Sequence, residues 1–285
     1  MDIKTWGQAL DYTFNTRHSW RHGNGAATAR INTNHFTQAV GLSFNVRKID
    51  QPLLARVSIE LEDQGKSDAT INRIISAVST VLNHCAFDGL IPQPPKFRRR
   101  KEHEHRINFY TKEEVQQLVT AAVDPFMRTD AAQIIDVAAY TGMRQGELLK
   151  LRACDIDLSR MEIHVGGVPS QTTKAKNWRK IPIHNHIKPM LIRRCELVAP
   201  NVRIFGDEWN DKDQLYRCFK KINKYIGKGE EYVFHTLRHS FATWAVDAEV
   251  PMRQLMALMG HKRIETTLRY AKVSDPALQA AIGAI

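Results

Sequence analysis

Nothing in this 285-residue chain approaches the run of about 18 apolar residues that a membrane-spanning helix needs. Its start, MDIKTWGQALDYTF, also lacks the basic-then-apolar layout of a secretory signal, so the expected setting is the bacterial cytoplasm. Only four cysteines are present, Cys85, Cys154, Cys195 and Cys218, and none forms a C-x-x-C pair. That scarcity excludes a disulfide framework and a zinc ribbon, leaving four reduced, mostly buried small residues. Internal repeats and low-complexity tracts are absent as well, which excludes solenoids and arrays.

Acidic residues are the scarcer charge. There are 41 Lys and Arg against 30 Asp and Glu, a net charge of +11, while 43% hydrophobic residues are enough for a real core. A folded protein with this balance expects a polyanionic partner, with nucleic acid ahead of an acidic membrane surface.

Up to about residue 93 the apolar spacing is helical throughout. Leu53, Leu54, Val57, Ile59 and Leu61 end at Gly65; Ile71, Ile74, Ile75, Val78, Val81, Leu82 and Cys85 follow the polar stretch 67–70. One or two further helices before them complete a compact α-helical unit. Residues 94–108 then read as a basic interdomain linker. Prolines at 92, 94 and 95 forbid helix, and five of the six residues from Lys96 to Lys101 are basic. Arg98, Arg99, Arg100 and Lys101 are expected to neutralise phosphates rather than form a merely solvated charge run.

The second domain, 109–285, opens on a capping box, Thr111 with Glu114. It is expected to be mainly helical, with a hairpin built from Met161–Val165 and Lys180–Ile183 and helices near 187–198, 212–226, 236–248, 251–259 and 264–272. The fold class is thus mainly α with a small antiparallel β element.

Four stretches of this domain hold more ionisable side chains than packing requires. In TGMRQGELLKL, Arg144 stands at a helix start, where a guanidinium can bind phosphate in a bidentate manner, and Glu147 can orient it. The hairpin QTTKAKNWRKIPI carries Lys174, Lys176, Arg179 and Lys180, as phosphate contacts or, for one lysine, as a proton donor. In HTLRH, His235 and His239 share a helical face, yet no carboxylate or third histidine completes a zinc site. His235 with Arg238 suits a phosphate instead, leaving His239 a structural role. In GHKRIETTLRY, a histidine and a tyrosine lie nine residues apart, and a lone tyrosine in a helix is more often packing than nucleophile. The ensemble of arginines, lysine, histidines and tyrosine is nonetheless what a metal-free attack on a phosphodiester uses.

These motifs resemble the tyrosine recombinases of the phage-integrase and Xer type, most specifically over residues 110–273. The resemblance assigns six catalytic positions, Arg144, Lys174, His235, Arg238, His261 and Tyr270, with Glu147 in support. Lys174 lies eight residues before Pro182, the family's lysine spacing, with Lys176 as the fallback. The resemblance also implies a DNA clamp formed by a helical core-binding domain, residues 1–93, and the catalytic domain. The tyrosine would form a 3′-phosphotyrosyl bond on double-stranded DNA, without metal, ATP or other cofactor. Phosphate contacts would come from Arg98, Arg99, Arg100, Lys101, Lys176 and Arg179. It further implies a homotetramer on paired sites, joined through the apolar C-terminal tail, with accessory DNA-bending or directionality proteins and a task in integration or excision of a mobile element. The alternatives are a type IB topoisomerase-like nicking-resealing enzyme and a DNA-binding protein without catalysis.

Overall fold

The structure, a computed structural model, describes residues 2–23, 25–102, 107–166, 178–206, 208–209 and 212–271. The chain divides into two compact units, Met1–His105 and Arg106–Ile285.

The first unit holds five helices among its described residues: α1 (Trp6–Thr16), α2 (His18–Arg21), α3 (Ala26–Val40), α4 (Gln51–Asp63) and α5 (Asp68–Phe87). Their starts follow from local chemistry. Thr5 and Gln8 form a reciprocal capping box on α1, Asp50 caps α4 through the Leu53 amide with Pro52 in the first turn, and Ser67 caps α5 through the Thr70 amide. One more helix precedes α4 than expected, because the four-residue α2 has no buried side chain and leaves no apolar period to read. The core is built on Trp6, Phe36, Ile71, Ile74, Val78 and Leu82, with the Trp6 and Phe36 rings edge to face at 5.0 Å. The Trp6 indole N–H donates to Thr37 Oγ1 at 2.8 Å, so its polar atom is satisfied inside.

The basic segment after α5 is extended, but it is stapled to this unit up to Glu102. Phe97 is buried in the helical core. The Arg98 amide donates to Gln51 Oε1 at 2.8 Å and the Arg100 amide to Asn72 Oδ1 at 2.9 Å. Arg100 departs from the expectation of a DNA-facing cation: its guanidinium donates to Asp68, Glu62 and the Ser58 carbonyl. The alternation of one apolar residue among cations explains both fates. Phe97 plugs inward, Arg100 returns to the unit's own carboxylates, and Arg98, Arg99 and Lys101 remain exposed.

The second unit begins with α6 (Lys112–Val123), capped by Thr111 and Glu114 as its sequence predicts, and α7 (Thr129–Thr141). Apolar residues surround α7 on nearly every side, with Ala131, Ile134, Ile135, Val137, Ala138 and Ala139 all buried, so it forms the central helix. After α8 (Gln145–Leu148) comes an antiparallel sheet of β1 (Ile156–Asp157), β2 (Glu162–Val165) and β3 (Arg179–Pro182) in that order. Ile163 pairs with both Ile156 and Ile181, placing three isoleucines on the buried face. The sheet has a third strand where a hairpin was expected, since two residues of β1 are too short to show alternation. Met161 lies at φ +53° outside β2.

The remaining helices are α9 (Lys188–Leu197), α10 (Lys212–Tyr225), α11 (Phe234–Asp247), α12 (Met252–Met259) and α13 (Glu265–Leu268). Tyr110 fastens α10 to α11: its amide donates to Ser240 Oγ, its hydroxyl to Asn223 Oδ1, and its carbonyl accepts from the Trp244 indole. Helix α13 stops earlier than its sequence period implies, so Tyr270 lies in the turn beyond it, its amide bonded to the Thr267 carbonyl.

Phe97→Ala should cost the first unit about 3 kcal/mol through the cavity it leaves. Amide hydrogen exchange at Arg98 and Arg100 should accelerate in that variant, and unchanged exchange at both would show that Phe97 does not pin the segment.

Candidate active site

Two helices end on left-handed glycines, and the site is built on those ends. Gly142 closes α7 at φ +61° and Gly260 closes α12 at φ +64°. A Cβ on Gly142 would stand 2.5 Å from the Phe241 ring, and one on Gly260 would stand 3.0 Å from the Arg179 guanidinium, so both are held to glycine by backbone and space. A helix C-terminus presents carbonyls without intrahelical partners and the negative end of its dipole. Here arginines take those carbonyls. Arg238, from α11, is 3% exposed and donates to the Gly142 and Met259 carbonyls, both at 2.5 Å. Arg179, at the start of β3, donates through Nε to the Leu258 carbonyl at 2.8 Å. Arg144, in the turn after α7, reaches the Gly260 carbonyl at 3.4 Å.

Glu147 is the counterion. Its carboxylate accepts from Arg144 at 2.9 Å, from the Arg144 backbone amide at 2.9 Å, and from both terminal nitrogens of Arg179 at 3.1 and 2.8 Å. Burial alone would raise its pKa. The Arg179 hydrogen bonds, the Arg144 amide and the guanidinium charges outweigh that and hold it at about 2. Glu147 thus touches both the backbone amide and the guanidinium of Arg144. Arg179, expected to face DNA, is instead 6% exposed and fully committed inside. The signal was present: Arg179 and Ile181, two apart on a strand, share the buried sheet face.

Arg238 is held down to about 10, first by desolvation and then by repulsion from Arg144 and Arg179, and remains charged at neutral pH. The same charges silence the histidines. His261, in the turn after α12, is depressed to about 4 by burial and by Arg238, Arg144, Arg179 and Arg269; its Nδ1 lies 2.9 Å from Thr267 Oγ1. His235, at the start of α11, is also depressed, by the surrounding protein and then by Arg238, Arg144 and Arg269. These shared charges place Arg144, Arg238, His235 and His261 in one electrostatic site.

Tyr270 is 7% exposed, packed on Ala242, Leu255 and Met259. Its hydroxyl lies 2.6 Å from Nδ1 of His239, which the sequence had left structural, and not against His235. Burial raises the pKa of Tyr270, and Arg269 and Arg238 oppose this only in part. In this structure desolvation outweighs the cations and the phenol keeps its proton. The HTLRH spacing puts His239 and His235 on one face, but the approach of Tyr270, 31 residues away, leaves no mark in that motif.

Lys174, Lys176 and the tail from residue 272 lie outside the described residues. Among the described residues no group of three His, Cys, Asp or Glu side chains is arranged to hold a metal. No described helix is long and apolar enough to cross a membrane. What the cluster offers is fixed positive charge beside neutral imidazoles and a protonated phenol, a setting for an anion such as a phosphodiester.

The sequence model of the Phage integrase family matches residues 108–276. Among similar proteins, a tyrosine recombinase of Thermosipho africanus is 26% identical over 267 residues, covering 90% of this chain and 92% of its own length. The integrase of Escherichia phage P2 is 29% identical over 243 residues, covering 82% of this chain and 64% of that protein. Among solved structures, the Tn1549 transposon integrase in complex with a circular intermediate DNA superposes with a TM-score of 0.81 at 17% identity, covering 99% of both chains.

Because the folded pKa of Glu147 lies below the usual 4.5, the stability it contributes is complete above pH 4.5 and is lost as pH falls toward 2. Glu147→Gln should therefore cost about 3 kcal/mol at pH 7. The difference from the parent should vanish near pH 2, and denaturant unfolding of the two proteins across pH 2–7 measures it.

Proposed function

The chain belongs to the phage integrase family and is a tyrosine recombinase, a site-specific enzyme that cleaves and rejoins DNA strands; from this premise we propose that Tyr270 is its nucleophile. The supporting observation is the position of the Tyr270 hydroxyl, bonded to an imidazole of α11 in the helix turn that also carries Arg238.

In this reading Arg144, Arg238 and His261 hold the non-bridging oxygens of the scissile phosphate as charge develops on them. The Tyr270 oxygen bonds to phosphorus and the bond to the 5′-oxygen breaks, leaving a 3′-phosphotyrosyl link. The phenol proton passes to an imidazole of HTLRH, where the family motif points to His235, and Lys174, with Lys176 as the alternative, protonates the departing 5′-oxygen. Glu147 and Arg179 act behind Arg144, fixing its position. The covalent link conserves the phosphodiester bond energy, so resealing requires only a 5′-hydroxyl. When that hydroxyl comes from another strand the product is a recombinant. Return to the original strand would be the topoisomerase-like reading, and family membership favours strand exchange.

The helical first unit is proposed to bind the core DNA site, with Arg98, Arg99 and Lys101 on phosphates, while the second unit performs the chemistry. Residues 94–108 join them as a linker. The biological setting is proposed as integration or excision of a mobile element in the bacterial cytoplasm, by a tetramer joined through the tail and assisted by DNA-bending or directionality proteins.

Tyr270→Phe should bind duplex DNA with the parent affinity and form no covalent protein–DNA species on a nicked site. A covalent band from that variant on a denaturing gel would remove Tyr270 from this role.

A further inference from the structure

The family motif directs attention to His235, yet the side chain against the candidate nucleophile is His239. Its Nδ1 lies 2.6 Å from the Tyr270 oxygen, with the ring centroids 5.7 Å apart. His235 lies on the more open side and meets His239 edge to face at 4.9 Å. The rings thus run in the order Tyr270, His239, His235.

We propose that His239 sets the orientation of the Tyr270 hydroxyl and accepts its proton during attack, a catalytic role that rests on Tyr270 being the nucleophile.

The donor and acceptor assignments follow from the site. Burial keeps the phenol protonated, so its O–H donates. Neutral His239 then accepts through the Nδ1 lone pair and carries its ring proton on Nε2. Four groups besides Tyr270 face this ring: His235 and Arg238 from α11, His261 from the turn after α12, and Arg269 from the turn after α13. Burial first, and then the charges of these groups, hold His239 at about 4 in the free protein. A bound phosphodiester brings a negative charge among Arg238, Arg269 and His261. It offsets the cationic part of that depression and leaves the part due to burial, so imidazole basicity rises when the substrate arrives.

The step balances. The Tyr270 oxygen bonds to phosphorus, the 5′-oxygen leaves with the electron pair of its bond and is protonated by the general acid, and the phenol proton comes to rest on His239 Nδ1. Rejoining reverses each transfer, and the imidazolium returns its proton to the phenol. Nothing is oxidised or reduced.

His239→Asn places an amide oxygen near the Nδ1 position, which can accept a hydrogen bond but cannot hold a proton at neutral pH; His239→Ala does neither. The probe is a nicked duplex bearing the site that the chain selects from random-sequence DNA, with adduct formation followed in single turnover at saturating DNA between pH 5 and 9. Both variants should keep the parent Kd and fold. Adduct formation should slow about 100-fold in His239→Ala and less in His239→Asn. The parent rate should fall as pH drops through the pKa of bound His239 and level off above it, whereas in both variants that inflection and plateau should disappear, leaving a rate that climbs continuously with pH across the whole range. Parent-like rates in either variant would overturn the proposal. So would a slower rate with the inflection unmoved, which marks a structural role, or loss of the inflection in His235→Ala alone, which returns the role to His235. A covalent adduct from Tyr270→Phe would defeat the nucleophile assignment itself, an outcome separate from all of these.

Discussion

The site depends on one buried guanidinium. Arg238 has left water for a place that offers it two carbonyls and, among the described residues, no carboxylate of its own, and an uncompensated cation there would cost several kcal/mol. Its neutralisation is distributed. The ends of α7 and α12 each contribute an unpaired carbonyl and the negative pole of a helix, which requires both helices to stop at this point. Gly142 and Gly260 are the stops, and neither tolerates a Cβ because the space is taken by Phe241 in one case and by Arg179 in the other. Sequence elements more than a hundred residues apart thus meet around one side chain.

Glu147 solves the related problem for the other two cations. One carboxylate serves Arg144 and Arg179 together, so Arg179 is fully satisfied while Arg144, the more exposed of the two, keeps part of its guanidinium toward solvent. The outcome is a gradient: committed cations beneath and an available one above. A flexible surface arginine would lose more conformational entropy on gripping a phosphate, whereas Arg144 is already held on the Gly260 carbonyl and on Glu147 before any ligand binds.

Much of this was legible in the sequence. Long amphipathic helices such as α5 announce themselves by period, and the Thr111–Glu114 capping box marks the start of the second domain. The motifs around Arg144, His235, Arg238, His261 and Tyr270 fall on elements that meet in space. What failed to show were features set by long-range contacts. Arg179 and Arg100 look like their basic neighbours in the chain, and only the position of Glu147 in one case, and of Glu62 and Asp68 in the other, turns them inward. The two-residue β1 exists because β2 offers it a partner. His239 differs from His235 in being approached by Tyr270 from the turn after α13, and local spacing carries no record of that.

The state of the phenol follows from the same balance of charge and burial. Cations near a tyrosine lower its pKa and burial raises it, and here burial dominates. Before DNA binds, a protonated hydroxyl bonded to a weakly basic imidazole is a poor nucleophile. A phosphodiester alters the two partners unequally. Its negative charge offsets the repulsion that depresses His239 and so raises its basicity. In the proposed reaction it also brings the electrophile, whose developing charge would fall on Arg144 and Arg238. The cation cluster that helps depress the imidazoles in the free protein is therefore, in that reaction, the same cluster that would stabilise the transition state.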